Sequence, residues 1–172
     1  LRSPRLRLSA LVVVVLVAAG CGGGGKTVTT TRTVTRAAPG LPAAAERTRA
    51  RLLAAAESGD YEALRPVIPA KGFAFSYGAS AGGPIAYWKN VEQTTEQTPI
   101  AILAAIMRMP YTLNRGLYVW PFAYDKRKSD LTAYERRLLG PELLRSYVGE
   151  DYYGWRAGLR PDGSWVFFIS GD

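Results

Sequence analysis

The sequence predicts an α+β domain in which N-terminal helices pack on a small, mainly antiparallel sheet that a C-terminal β-hairpin closes. Two observations predict it. Helical spacing with helix-stop residues dominates positions 42–109, whereas positions 152–159 alternate and Trp165–Ile169 is apolar, on either side of Arg160-Pro-Asp-Gly163. Proline fixes one φ and glycine supplies a positive one, as an antiparallel reversal requires. Helices first and paired strands last define the class.

Taken in order, the first helix starts at Pro42, a favoured residue for the first turn. Ala45, Leu52, Leu53 and Ala56 share one side, with Glu46, Arg47, Arg49 and Arg51 mostly elsewhere. Ser58-Gly59 stops it, and Asp60 caps a shorter helix that Pro66 and Pro69 end. In Gly72-Phe-Ala-Phe-Ser-Tyr-Gly78, Phe73, Phe75 and Tyr77 alternate with Ala74 and Ser76, the period of a strand. A short helix with Tyr87 and Trp88 follows. Thr98-Pro99 opens the next, running to Met109; Ile100, Ile102, Leu103, Ile106 and Met107 surround it, so it is expected in the core. Leu117–Trp120 reads as a strand. Thr132-Ala-Tyr-Glu135 matches a capping box, in which hydroxyl and carboxylate each satisfy a free backbone N–H. Gly140-Pro141 ends that helix, and a turn through Leu143 and Leu144 leads to Gly149.

Ahead of this domain the chain has a different character. Arg2, Arg5 and Arg7 precede the apolar run Leu11-Val-Val-Val-Val-Leu-Val-Ala-Ala19, the layout of an export signal. Nine apolar residues are too few to span a bilayer, which takes roughly 20. Val17-Ala-Ala-Gly-Cys21 resembles the lipobox of bacterial lipoproteins, with Ala18 where that family more often has leucine. The resemblance implies cleavage before Cys21, attachment of a diacylglycerol to its sulfur, and residence on the extracytoplasmic face of the cell membrane. Cys21 is the only cysteine, so it has no intramolecular disulfide partner, and acylation gives the odd thiol a purpose. The organisation read here is a signal peptide over 1–20, the lipidated cysteine with a flexible Gly/Thr-rich tether over 21–41, and one globular domain over 42–172. Residues 22–40 lack Leu, Ile and aromatic residues and so cannot bury enough apolar surface to order themselves; all 10 Tyr, 4 Trp and 5 Phe lie at or beyond Tyr61.

The net charge of +8 invites a nucleic-acid reading that its distribution removes. Three of the charges belong to the leader and three more to Lys26, Arg32 and Arg36, leaving +2 for 42–172. A phosphate-binding surface needs a basic domain or stripe. A membrane partner through Cys21, and an envelope glycan, peptide or protein, fit better.

Helix, then Ser58-Gly-Asp-Tyr-Glu-Ala-Leu64, then strands around a buried helix resembles the NTF2-like (SnoaL-type) cone fold. That resemblance implies the alternative function, a small-molecule enzyme using Asp, Glu or Tyr as acid and base. The composition favours a non-catalytic binding or envelope-structural domain. The chain has no histidine, and Cys21 is committed to lipid, so the usual general base, thiol nucleophile and Cys/His zinc ligands are missing; no cofactor or metal is implied. The carboxylates nearest to aromatic strands are Asp125, Glu150 and Asp151, and adjacent residues on a strand point to opposite faces. For binding, the sequence nominates Tyr118, Trp120, Tyr152 and Arg156. Leu117 and Val119 are the aliphatic side of their strand, and Trp155, Ala157 and Leu159 the apolar side of the hairpin; both assignments leave the nominated four on an outer face. Tyr, Trp and Arg are enriched where binding energy concentrates, so the four are expected to share a partly exposed patch.

Overall fold

The structure is a computed structural model that describes residues 40–78 and 81–171. The predicted signal peptide, Cys21 and nearly all of the tether lie outside the described residues.

Helix α1, Ala43–Glu57, buries Ala45, Leu52, Ala55 and Ala56, a single stripe at helical spacing. It ends at Ser58, whose hydroxyl donates to the Ala55 carbonyl at 2.7 Å. The Asp60 carboxylate then accepts from the Glu62 N–H at 2.8 Å and starts a 3₁₀ helix, Tyr61–Val67. Helix α2, Gly83–Thr94, buries Ile85 and Trp88. Helix α3, Pro99–Met107, buries seven of its residues, as expected of a core helix. It lies between α1 and the sheet, and Arg49 on α1 donates to the Met107 carbonyl at 2.7 Å, satisfying one of the free acceptors at its end.

Four strands form the main sheet: β1 Thr112–Asn114, β2 Leu117–Trp120, β5 Arg156–Leu159 and β6 Trp165–Ile169, in the order β1-β2-β5-β6 with antiparallel neighbours. The connection from β1 to β2 uses two residues of positive φ, Arg115 at 48° and Gly116 at 80°. Strands β3, Tyr147–Val148, and β4, Asp151–Tyr152, make a separate two-stranded ladder.

Three expectations are corrected here. The sheet is not closed by its C-terminal hairpin. β5 and β6 do pair across the Arg160–Ser164 reversal, but they form one half of an open sheet, with β1 and β6 as its edges. Four strands of three to five residues are too few and too short to curl until their edges meet; helices cover the apolar face instead. The pairing is also mixed. The strand expected over 72–78 reduces to a single parallel bridge, in which Ala74 N–H donates to Val166 O and Phe168 N–H to Ala74 O, each at 3.0 Å. Positions 152–159 are likewise two strands in two sheets. The break falls at Gly154, where a Cβ would come within 2.4 Å of the Tyr152 hydroxyl, and Tyr153 N–H turns aside to the Ser146 carbonyl at 2.9 Å.

Helix α4, Ala133–Leu144, begins with the predicted capping box, the Thr132 hydroxyl and Glu135 carboxylate serving each other's backbone N–H. At Gly140, with φ 68° and ψ 173°, it kinks before Pro141 and resumes. Only Leu139 and Leu143 are buried along it, so it covers the core lightly. The centre of the core is Trp88, Trp120, Trp165, Phe168, Leu103, Ile106 and Met107.

Candidate functional site

The four nominated residues do not form a surface. Tyr118, Trp120, Tyr152 and Arg156 are 7%, 1%, 6% and 7% exposed. The register explains why they also do not meet on one face. Tyr118 pairs with Leu159 and Trp120 with Ala157, so both aromatics share the face that carries the hairpin's apolar side. Arg156, one residue from Ala157, points to the opposite face. The strand therefore sits the other way round from the sequence expectation, with its aromatic side inward. Tyr111 packs its ring against Tyr118 at 5.2 Å and against Trp120 at 5.5 Å. The aliphatic side is not solvent either: Val119 is buried opposite Gly158, where a Cβ would collide with the Phe167 ring at 2.4 Å.

Tyr152 stacks edge-on to Tyr147 and donates its hydroxyl to the Trp155 carbonyl at 3.1 Å. Burial pushes its hydroxyl pKa well up, and burial likewise lifts that of Tyr147 to about 12, so neither acts as a base near neutrality. Arg156 lies over the Tyr124 ring at 5.5 Å, reaches the Gly154 carbonyl at 3.4 Å, and donates to the Tyr77 hydroxyl. It braces the other face of the sheet.

The carboxylates of the enzymatic alternative are placed just as clearly. Asp125 and Asp151 line an open depression of ≈ 360 Å³ together with Lys126 and Arg127. Both are exposed, and Asp125 accepts from Asn114 Nδ2 at 3.4 Å. Glu150 is held elsewhere, its carboxylate accepting from Ser129 N–H at 2.8 Å with Arg127 at 4.0 Å. The hydrogen bonds to Ser129 and the nearby cations keep it below the ordinary carboxylate range. A general acid needs apolar enclosure, which neither the open depression at Asp125 and Asp151 nor the hydrogen-bonded setting of Glu150 provides.

The concave feature that sequence reasoning missed runs between α3 and α4. Three adjoining hollows share walls along it. The first, ≈ 520 Å³, is lined by Thr95, Gln97, Ser146, Tyr153, Trp155 and Ser170 among others, and its Trp155 indole N–H donates to Gln97 Oε1 at 2.7 Å. Ile102, Glu142 and Leu143 belong both to it and to the second, ≈ 370 Å³, whose walls are mostly apolar: Ala101, Ala105, Leu138 and Leu139. Met109 and Leu138 carry the groove into the third, ≈ 510 Å³, lined by Leu41, Arg49, Arg108, Tyr111 and the exposed Tyr134, with Trp120 at its floor. The groove exists because α4 kinks at Gly140-Pro141 and settles on the core through only two buried leucines. The Gly-Pro pair was the one local signal for it.

Among the described residues no group of His, Cys, Asp and Glu could hold a metal ion, and no helix is long and apolar enough to cross a membrane. The chain matches no family model, no curated protein and no solved structure.

Proposed function

We propose that this chain is a lipid-anchored protein of the extracytoplasmic membrane face, whose folded domain binds an extended envelope polymer, a peptide or glycan strand, in the α3–α4 groove. The observation that carries the anchor is Val17-Ala-Ala-Gly-Cys21 behind a short apolar run, with Cys21 the only thiol. Two acyl chains on that sulfur hold a protein at a membrane stably, where one holds it only marginally. The binding half of the proposal rests on the groove. Hydroxyl and amide groups of Thr95, Gln97, Ser146 and Ser170 line one end, a methyl-rich wall the middle, and guanidinium and phenol groups the other. Such a lining suits a chain that alternates polar and apolar groups. The NTF2-like enzyme alternative would need Asp125, Glu150 or Asp151 enclosed, and the exposure of Asp125 and Asp151 and the pairing of Glu150 with Arg127 weigh against it.

Cys21→Ala tests the anchor: the variant is expected to leave the membrane fraction or to stay uncleaved. Normal processing together with continued membrane fractionation would overturn the lipoprotein reading. Ala101→Trp tests the groove by filling its middle from the exposed side of α3.

A further inference from the structure

Trp88 and Trp165 are 0% and 2% exposed, and among the described residues their indole nitrogens are the buried side-chain polar atoms with no hydrogen-bond partner. A buried indole N–H normally finds an acceptor, because leaving water without one costs free energy. Here two such donors sit together, their rings 5.9 Å apart. Two rings lie beside both: Phe168, 5.3 Å from Trp88 and 6.3 Å from Trp165, and Phe73, 4.6 Å from the Trp165 ring and edge-on to Trp88 at 6.1 Å.

Phe73 packs against the core from outside the helices and strands. It belongs to the stretch 68–78, which has neither helix nor ladder. Its polar ties to the sheet include the two backbone bonds of Ala74 and the bond between Tyr77 and Arg156. Phe73 and Phe75 are half-buried, and Tyr77 is 57% exposed. Segments held by few hydrogen bonds open at lower cost than the core they cover. Lifting this one would uncover a floor made by Trp88, Trp165 and Phe168, walled by Tyr87.

We propose that the Trp88–Trp165 pair is the floor of a second binding site, closed in this structure by Phe73, for a flat aromatic molecule bearing a carbonyl or ether oxygen. The ligand's ring replaces the Phe73 ring against Trp165, and its oxygen accepts from the Trp88 or Trp165 indole N–H, neither of which has an acceptor in the closed form. The inference is independent of the anchor and of the α3–α4 groove.

The test is side-chain ¹H–¹⁵N spectroscopy of the full chain in detergent micelles, where 4 Trp give four indole signals, assigned through Trp88→Phe and Trp165→Phe. The protein is titrated with acetophenone and separately with ethylbenzene, which matches its shape but lacks the oxygen. The expected result is a downfield move of the Trp88 or Trp165 indole proton with acetophenone alone. Phe73→Ala, which removes the plug from a half-exposed position, should tighten acetophenone binding about tenfold or more by sparing the ligand the cost of opening. No movement in either protein overturns the site. Equal movement with ethylbenzene overturns the role of the indole donors, and indole protons already at hydrogen-bonded positions in the free protein would do the same.

Discussion

Replacing Trp120 by alanine separates a core role from a surface role with one number. Trp120 is 1% exposed, packs against Tyr111 at 5.5 Å, and belongs to the main core cluster. Its partner on β5, Ala157, is fully buried and too small to relax into the space. Burying a tryptophan removes roughly 150–250 Å² from water, which at about 25 cal/mol per Å² is worth about 4–6 kcal/mol as an upper value. Measured Trp→Ala losses in cores run about 3–5 kcal/mol. For a domain of this length, about 3–4 °C per kcal/mol converts that loss into a Tm lowered by about 9–20 °C. Near-UV circular dichroism through a reversible melt, with urea unfolding as a second probe, reads the loss directly. A change below about 1 kcal/mol, the size typical of surface substitutions, would refute the packing described here.

Gly163→Ala should cost about 1–3 kcal/mol in urea unfolding, because its φ is +87° and a Cβ would sit 2.7 Å from the Ala44 carbonyl oxygen on α1; an unchanged midpoint would contradict the docking of the hairpin turn on that helix. Glu135→Gln probes the start of α4. Burial draws the Glu135 carboxyl upward, but hydrogen bonds from Lys126 and from the Thr132 N–H and hydroxyl outweigh it, so it titrates below the ordinary glutamate range. A carboxylate with a lowered folded-state pKa contributes stability above its unfolded pKa and loses it as pH falls through the folded one. The wild-type advantage over Glu135→Gln in urea midpoint should therefore be full at neutral pH and shrink on acidification, and an advantage that grows toward acid would contradict the assignment. Ala101→Trp should abolish retention of the protein on isolated cell-wall material while leaving its Tm nearly unchanged; undiminished retention would remove the α3–α4 groove as the ligand site.

What the sequence revealed and what it hid divide along local and non-local physics. The Thr132–Glu135 box, the Asp60 cap, the apolar girth of α3 and the 160–163 reversal are written in residues a few positions apart, and all of them form. Strand β1 escaped notice because Thr-Leu-Asn is three residues long and its turn uses Arg115 where Asn or Gly is the usual signal. Phe73, Phe75 and Tyr77 have the strand period, yet the segment meets the sheet at one residue, because its two phenylalanines pack toward Trp88, Trp165 and Tyr87. The choice of inward face on β2 was undecidable locally, since Leu117 and Val119 are as apolar as Tyr118 and Trp120. Only pairing with Ala157 and Leu159, nearly forty residues away, determines it. The groove depends on how a kinked helix rests on another element, and no short window contains both.

Cys21 carries the proposed anchor, and its most direct test is the intact mass of the N-terminal proteolytic fragment of the protein isolated from its own membranes. The prediction is a fragment beginning at Cys21 and heavier by a thioether-linked diacylglycerol. A fragment that begins elsewhere, or one that carries Cys21 as a free thiol, would contradict it.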